Sequence, residues 1–139
     1  VRLNKNNYSK IIKQYDYIVD GSDNFKTKFL INDFCKTSKK FLVSGAISKF
    51  DGHIFTFDFK NKNTPCIRSF FQESRISDDI LNCEYEGILG TVAGIVGTMQ
   101  ANEILKKILN IGQNLNGFIL ILDLLNLNFR KVKLKKKKN

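Results

Sequence analysis

The sequence predicts an α/β domain, a mainly parallel sheet with an antiparallel β extension, and three observations carry that expectation. Tyr15–Asp20 (YDYIVD) and Phe41–Ser44 (FLVS) are short apolar runs, each closed by a glycine, and they read as buried strands. Between them Phe25, Phe29, Leu30 and Phe34 fall at helical spacing. Strand, helix and strand at that separation make one βαβ unit, whose strands pair in parallel. Beyond it, His53–Phe59 (HIFTFDF) alternates, as a half-buried antiparallel strand does.

Taken in order, the first strand ends in Asp20 and turns at Gly21. The helix is expected over Asn24–Lys36, with Asp23 or Asn24 as its N-cap. In the alternating strand, Ile54, Thr56 and Asp58 face one way and Phe55, Phe57 and Phe59 the other. Residues 60–82 are polar, irregular and contain the one proline, which predicts a long loop. Gly87–Asn110 reads as a long helix or a bent pair. Its Gly87, Gly90, Gly94 and Gly97 are each unfavourable by about 1 kcal/mol against Ala in a helix. Glycines at that spacing admit a close neighbour, either the sheet beneath or a partner or nucleotide. Phe118–Asp123 (FILILD) and Asn128–Leu134 are the last two strands.

The composition is that of a folded, water-soluble chain: 139 residues, 42% apolar, 26% charged, nine glycines and one proline. No apolar run reaches the ~20 residues of a membrane span. Val1–Tyr8 shows no signal-peptide pattern, so a cytoplasmic location and no membrane partner are expected. Cys35, Cys66 and Cys83 are odd in number and far apart, which fits a reducing compartment rather than a disulfide framework. The net charge of +10 is lopsided. Seven positive charges lie in the last ten residues, leaving +3 for the other 129. Lysine outnumbers arginine 19 to 4, a bias that reads as coding preference and weakens any binding claim built on lysine count. A basic run binds phosphate backbones non-specifically. A solvated strand extension is its commoner meaning, and nucleic acid is not expected as a partner.

Three places could carry chemistry. Asp20-Gly21-Ser22-Asp23-Asn24 lies at the carboxyl end of a parallel strand, where open α/β sheets bind ligands. A carboxylate there can hold Mg²⁺ beside a polyphosphate, or can simply cap the next helix. Cys83 precedes the expected start of the long helix, where the dipole favours a thiolate and a nucleophile. The alternative is an incidental buried cysteine. Cys66-Ile67-Arg68-Ser69 holds half of a Cys-x-x-Cys pair, and ligand count argues against zinc. His53 is expected in a packed or surface role and Cys35 in the core.

Eight segments in this order resemble the ThiF/MoeB/HesA family, the bacterial relatives of ubiquitin-activating enzymes. They are Tyr17–Asn24 (YIVDGSDN), Phe29–Cys35 (FLINDFC), Leu42–Ile47 (LVSGAI), Phe50–Gly52 (FDG), Pro65–Cys66, Asn82–Gly90 (NCEYEGILG), Gly94–Glu103 (GIVGTMQANE), and Asp123 with Phe129–Arg130. The resemblance implies a Rossmann-like sheet. It also implies adenylation, with ATP and Mg²⁺, of the C-terminal Gly-Gly of a ubiquitin-like sulfur-carrier protein that serves thiamine, molybdopterin or thiolation pathways. On the motif match, Asp23 is the acid at the nucleotide and metal, with Asn24 beside it. Cys83 is the cysteine that in some members bonds to the carrier or passes sulfur. A homodimer is implied as well.

The departures shape the expectation. The family's Gly-rich phosphate loop has no counterpart, since residues 1–14 contain no glycine. Residues 1–134 therefore correspond to the C-terminal part of such a domain, with the nucleotide-loop half missing and 135–139 a basic tail. Alone, this part is expected to bind ATP poorly, and a non-catalytic fragment or carrier-binding module is the alternative reading. Lys28 stands where the family commonly has Arg, and Ser69 and lysines stand where zinc-binding members have cysteines.

Overall fold

A computed structural model describes residues 2–71 and 87–135. Its elements are α1 (Tyr8–Ile12), β1 (Tyr17–Asp20), α2 (Phe25–Thr37), β2 (Phe41–Ser48), β3 (Asp51–Asp58), a 3₁₀ turn (Ile67–Ser69), α3 (Gly90–Leu109), β4 (Phe118–Asp123) and β5 (Asn128–Lys133). The five strands form one sheet in sequence order.

The expected βαβ unit is present. α2 carries the chain over the sheet, so β1 and β2 run parallel, with Tyr17 opposite Phe41 and Asp20 opposite Ser44. The antiparallel part is larger than a mainly parallel sheet implies. Only Lys49 and Phe50 separate β2 from β3, and so short a link reverses the chain rather than crossing it over. The β3–β4 and β4–β5 pairings are antiparallel too. The parallel portion described is thus the single β1–β2 pair.

Alternation along β3 sorts two cores. Phe55, Phe57 and Phe59 join Leu42, Ile119, Phe29, Cys35 and Ile67 beneath α2. Ile54 joins Phe41, Val43, Leu122, Val92 and Val96 beneath α3. β3 is therefore buried on both faces, not one, because α3 covers the side that alternation alone leaves to solvent. β5, at the sheet's end, is exposed along its length despite its alternating sequence.

α3 starts at Gly90, three residues later than its glycine-rich sequence suggests, and ends where Asn110 turns left-handed at φ 53°. Its inward residues are Val92, Val96, Gln100 and Glu103. The glycines point the other way: among the described residues, a Cβ on Gly90, Gly94 or Gly97 meets nothing within 4 Å. Close packing of these glycines on the sheet is overturned. The close approaches belong to Gly45 and Gly52, where a Cβ would lie 2.7 Å from Gln100 Oε1 and 2.5 Å from Val96 Cγ2. The short α1 has no periodic signal in the sequence; it is held by buried Ile12 and by Tyr8, edge-on to Phe34.

Candidate functional site at the carboxyl end of β1

β1 delivers Asp20 into the interior at the point where the parallel strands end. A buried carboxylate needs partners. Asp20 Oδ1 accepts from Ser22 N at 2.9 Å and Ser22 Oγ at 2.6 Å. Oδ2 accepts from Ser44 Oγ at 2.6 Å and Lys28 Nζ at 3.2 Å. The Lys28 and Asp20 side chains are 4% and 1% exposed. Lys28 also donates to the Gly45 carbonyl. From the other side of the sheet, Gln100 Nε2 donates to the Asp20 carbonyl at 2.9 Å. Burial pushes the Lys28 ammonium below the usual lysine range, and the charges of Asp20 and Asp23 oppose that shift.

Gly21–Asn24 bridge this buried cluster to α2. Asn24 is the N-cap: its side-chain oxygen accepts from Thr27 N at 2.9 Å. Its amide donates to Asp23 Oδ1 at 3.2 Å. Asp23 is exposed, and among the described residues this is its one hydrogen bond. The capping role weighed for this segment thus falls to Asn24, while Asp23 stands at the mouth of the strand ends. Among the described residues no three His, Cys, Asp or Glu gather into a metal-holding group. A solvent-facing carboxylate of low hydrogen-bond load suits Mg²⁺, which commonly takes one or two carboxylates, waters and substrate phosphates.

Cys83 lies outside the described residues. Cys66 is buried and shares a reciprocal cap with Ser69, whose hydroxyl accepts from Cys66 N at 3.4 Å. That turn is fastened to α2. Asn32 Oδ1 accepts from Ile67 N at 3.2 Å. The Arg68 fork meets both Asp33 oxygens at 2.9 and 2.7 Å while stacking over Phe29. Burial pushes the Asp33 carboxyl up, but the bonds from Arg68 and Asn32 outweigh it and hold it below its ordinary value. Cys35 is in the core, as expected, and burial pushes its thiol up to about 12. His53 is half-buried beside Phe70, with its pKa lowered by burial. A cleft between α1 and α2, lined by Lys5, Tyr8, Leu30, Asp33, Phe34 and Thr37, includes none of the expected site residues.

Two buried polar clusters join residues whose pairing the sequence patterns do not reveal, although Asp20, Lys28 and Glu103 each stand out there singly. One is the Asp20–Lys28–Ser44 group. The other centres on Glu103, which accepts from Thr56 Oγ1 and Leu115 N, both at 2.8 Å, and pairs with Lys106. Buried strand-end and helix residues of opposite charge were the available signal. No helix among the described residues is long and apolar enough to cross a membrane.

Known proteins resemble the chain along its whole length. An adenylyltransferase and sulfurtransferase, MOCS3, of Xenopus laevis is 37% identical over 139 residues, which is 100% of this chain and 30% of the relative. A probable molybdopterin-synthase adenylyltransferase of Pyropia yezoensis is 40% identical over 134 residues, 96% of this chain and 35% of the relative. A sulfur carrier protein adenylyltransferase of Thermus thermophilus is 38% identical over 135 residues, covering 95% and 50%. The chain thus spans between about a third and a half of these relatives. Among solved structures, E. coli MccB with SeMet MccA superposes with a TM-score of 0.77 at 10% identity, covering 99% of this chain and 41% of that one. MccB with ATP gives 0.73 at 14%, covering 99% and 42%. The structural likenesses establish the α/β, Rossmann-like fold. With the ThiF family model matching residues 1–139, end to end, the chain belongs to the ThiF family.

Proposed function

We propose that this chain is the C-terminal part of an ATP-dependent adenylyltransferase that activates the C-terminal Gly-Gly carboxylate of a ubiquitin-like sulfur carrier. One observation carries the reading: Asp23 is the solvent-facing acid at the carboxyl end of the parallel strands, in a chain matched end to end by relatives named for adenylyl transfer. In this reaction a carrier carboxylate oxygen bonds to the α-phosphorus of ATP, the bond to the bridging oxygen breaks, and pyrophosphate leaves. Asp23 would hold Mg²⁺, which when bound neutralises phosphate charge and orients the leaving group.

The chain's own residues supply position and field. The Asp20 carboxylate and Lys28 ammonium cancel within the interior, so the net negative charge of this cluster rests on exposed Asp23. Asn24 keeps the start of α2 ordered and its amide steadies Asp23. Cys83 is assigned the later step: its thiolate attacks the carrier's acyl-adenylate carbonyl and forms a thioester as AMP leaves, or, once charged as a persulfide by a sulfur donor, it attacks through its outer sulfur, again with AMP leaving. A homodimer in the cytoplasm, with residues 135–139 as a solvated basic tail beyond the domain, completes the reading. The test is carrier-dependent exchange of labelled pyrophosphate into ATP by the gene product that contains this chain. Exchange that needs both carrier and Mg²⁺ supports the reading, and its absence with every cognate carrier refutes it.

A further inference from the structure

We infer that Lys28 is a positioning residue for Asp23, acting through Asp20 and the turn that joins β1 to α2. The inference rests on the reading of Asp23 as the metal-side acid.

The geometry is a clamp. Only Gly21–Asn24 separate β1 from α2. At the strand end, Asp20 Oδ1 grips both the amide and the hydroxyl of Ser22. At the helix end, Asn24 is locked to Thr27. Lys28, one turn into α2, reaches back to Asp20 Oδ2 and on to the Gly45 carbonyl of β2. One ammonium thus ties β1, β2 and α2 together beneath the turn, leaving Asp23 between two fastened residues.

A buried ion pair is a poor device for stability alone, because desolvation consumes much of its attraction. It is a good device for fixing a geometry. It also sets the local charge. With Lys28 and Asp20 cancelling, the cluster of Asp20, Asp23 and Lys28 carries one net negative charge, and that charge is on the exposed member. An apolar residue at 28 would leave Asp20 unpaired beneath the same turn.

The experiment uses the gene product containing this chain. Binding of Mn²⁺, added as its chloride with a non-hydrolysable ATP analogue, is read by electron paramagnetic resonance, with the melting temperature measured alongside. The double variant Asp20→Asn/Lys28→Met removes both buried charges and keeps much of their volume. It is expected to fold and to bind Mn²⁺ about tenfold more weakly, since a loosened turn misplaces Asp23. Lys28→Arg, which retains the charge, is expected to restore affinity to within about threefold of the parent. Should the double variant unfold, Ser22→Ala decides, because it removes one grip on the turn while leaving the buried pair. It is expected to weaken Mn²⁺ binding about threefold. A folded double variant, or Ser22→Ala in its place, with parental Mn²⁺ affinity overturns the inference alone. A parent protein whose Mn²⁺ binding is unaffected by Asp23→Asn overturns the reading of Asp23, and this inference with it.

Discussion

Asp20 and Asp23 lie three residues apart and hold opposite positions. Among the described residues, Asp20 is sunk among four donors, and Asp23 faces solvent with one. Substitution should separate them. Asp20→Ala strands Lys28 as a buried unpaired cation and is expected to lower unfolding free energy by about 3–5 kcal/mol in urea titration. Asn24→Ala removes an N-cap and should lower it by about 1 kcal/mol. Glu103 gives a pH signature. Burial pushes its carboxyl up, but the bonds from Lys106, Leu115, Thr56 and Asn114 outweigh that and hold it below its ordinary 4.5. A depressed carboxylate stabilises the fold above the unfolded value and loses that contribution as pH falls through the folded one. The stability gap between the parent and Glu103→Gln should therefore be widest near neutral pH and shrink below about 4.5. A gap that widens on acidification contradicts this assignment.

Elements show where sequence patterns decide and where they do not. Strand ends were legible: the rule that ligands gather at the carboxyl ends of parallel strands picked out residues 20–24 without coordinates. Which of those residues turns inward was not, because that depends on α2 presenting Lys28, and on β2 presenting Ser44, to the same point. The glycines of α3 make the same lesson sharper. Their spacing says that they share a face, but the side facing the sheet is chosen by Val92, Val96, Gln100 and Glu103. Gly94→Ala is accordingly expected to raise the stability of the isolated chain by about 0.5–1 kcal/mol, since the methyl meets open space. Gly45→Ala should lower it by about 1–3 kcal/mol, because its methyl collides with Gln100 and Val96. Thermal melts of both variants check the pair.

For the whole molecule, the α/β class and the order of its main elements followed from hydrophobic periodicity. The proportion of parallel to antiparallel pairing did not, since it turns on a link of two residues between β2 and β3. The covering of β3's second face came from α3, which lies far away in sequence. Apolar surface remains open at Tyr17 and Val19 of β1 and along Ile95, Leu105 and Ile108 of α3. Patches of this kind promote association. The isolated chain is therefore expected to self-associate with rising concentration in analytical ultracentrifugation; a monomer throughout would contradict that.

Asp23, at the surface above the buried Asp20–Lys28 pair, is the residue on which the proposed adenylyl transfer depends most directly. The decisive measurement is carrier-dependent pyrophosphate exchange by the gene product containing this chain, parent against Asp23→Asn, with melting temperatures compared. A fall of about 10²-fold or more in exchange with an unchanged melting temperature is predicted, because the substitution removes the exposed charge and leaves the buried cluster whole. Exchange at the parental rate in a folded Asp23→Asn protein would contradict the account.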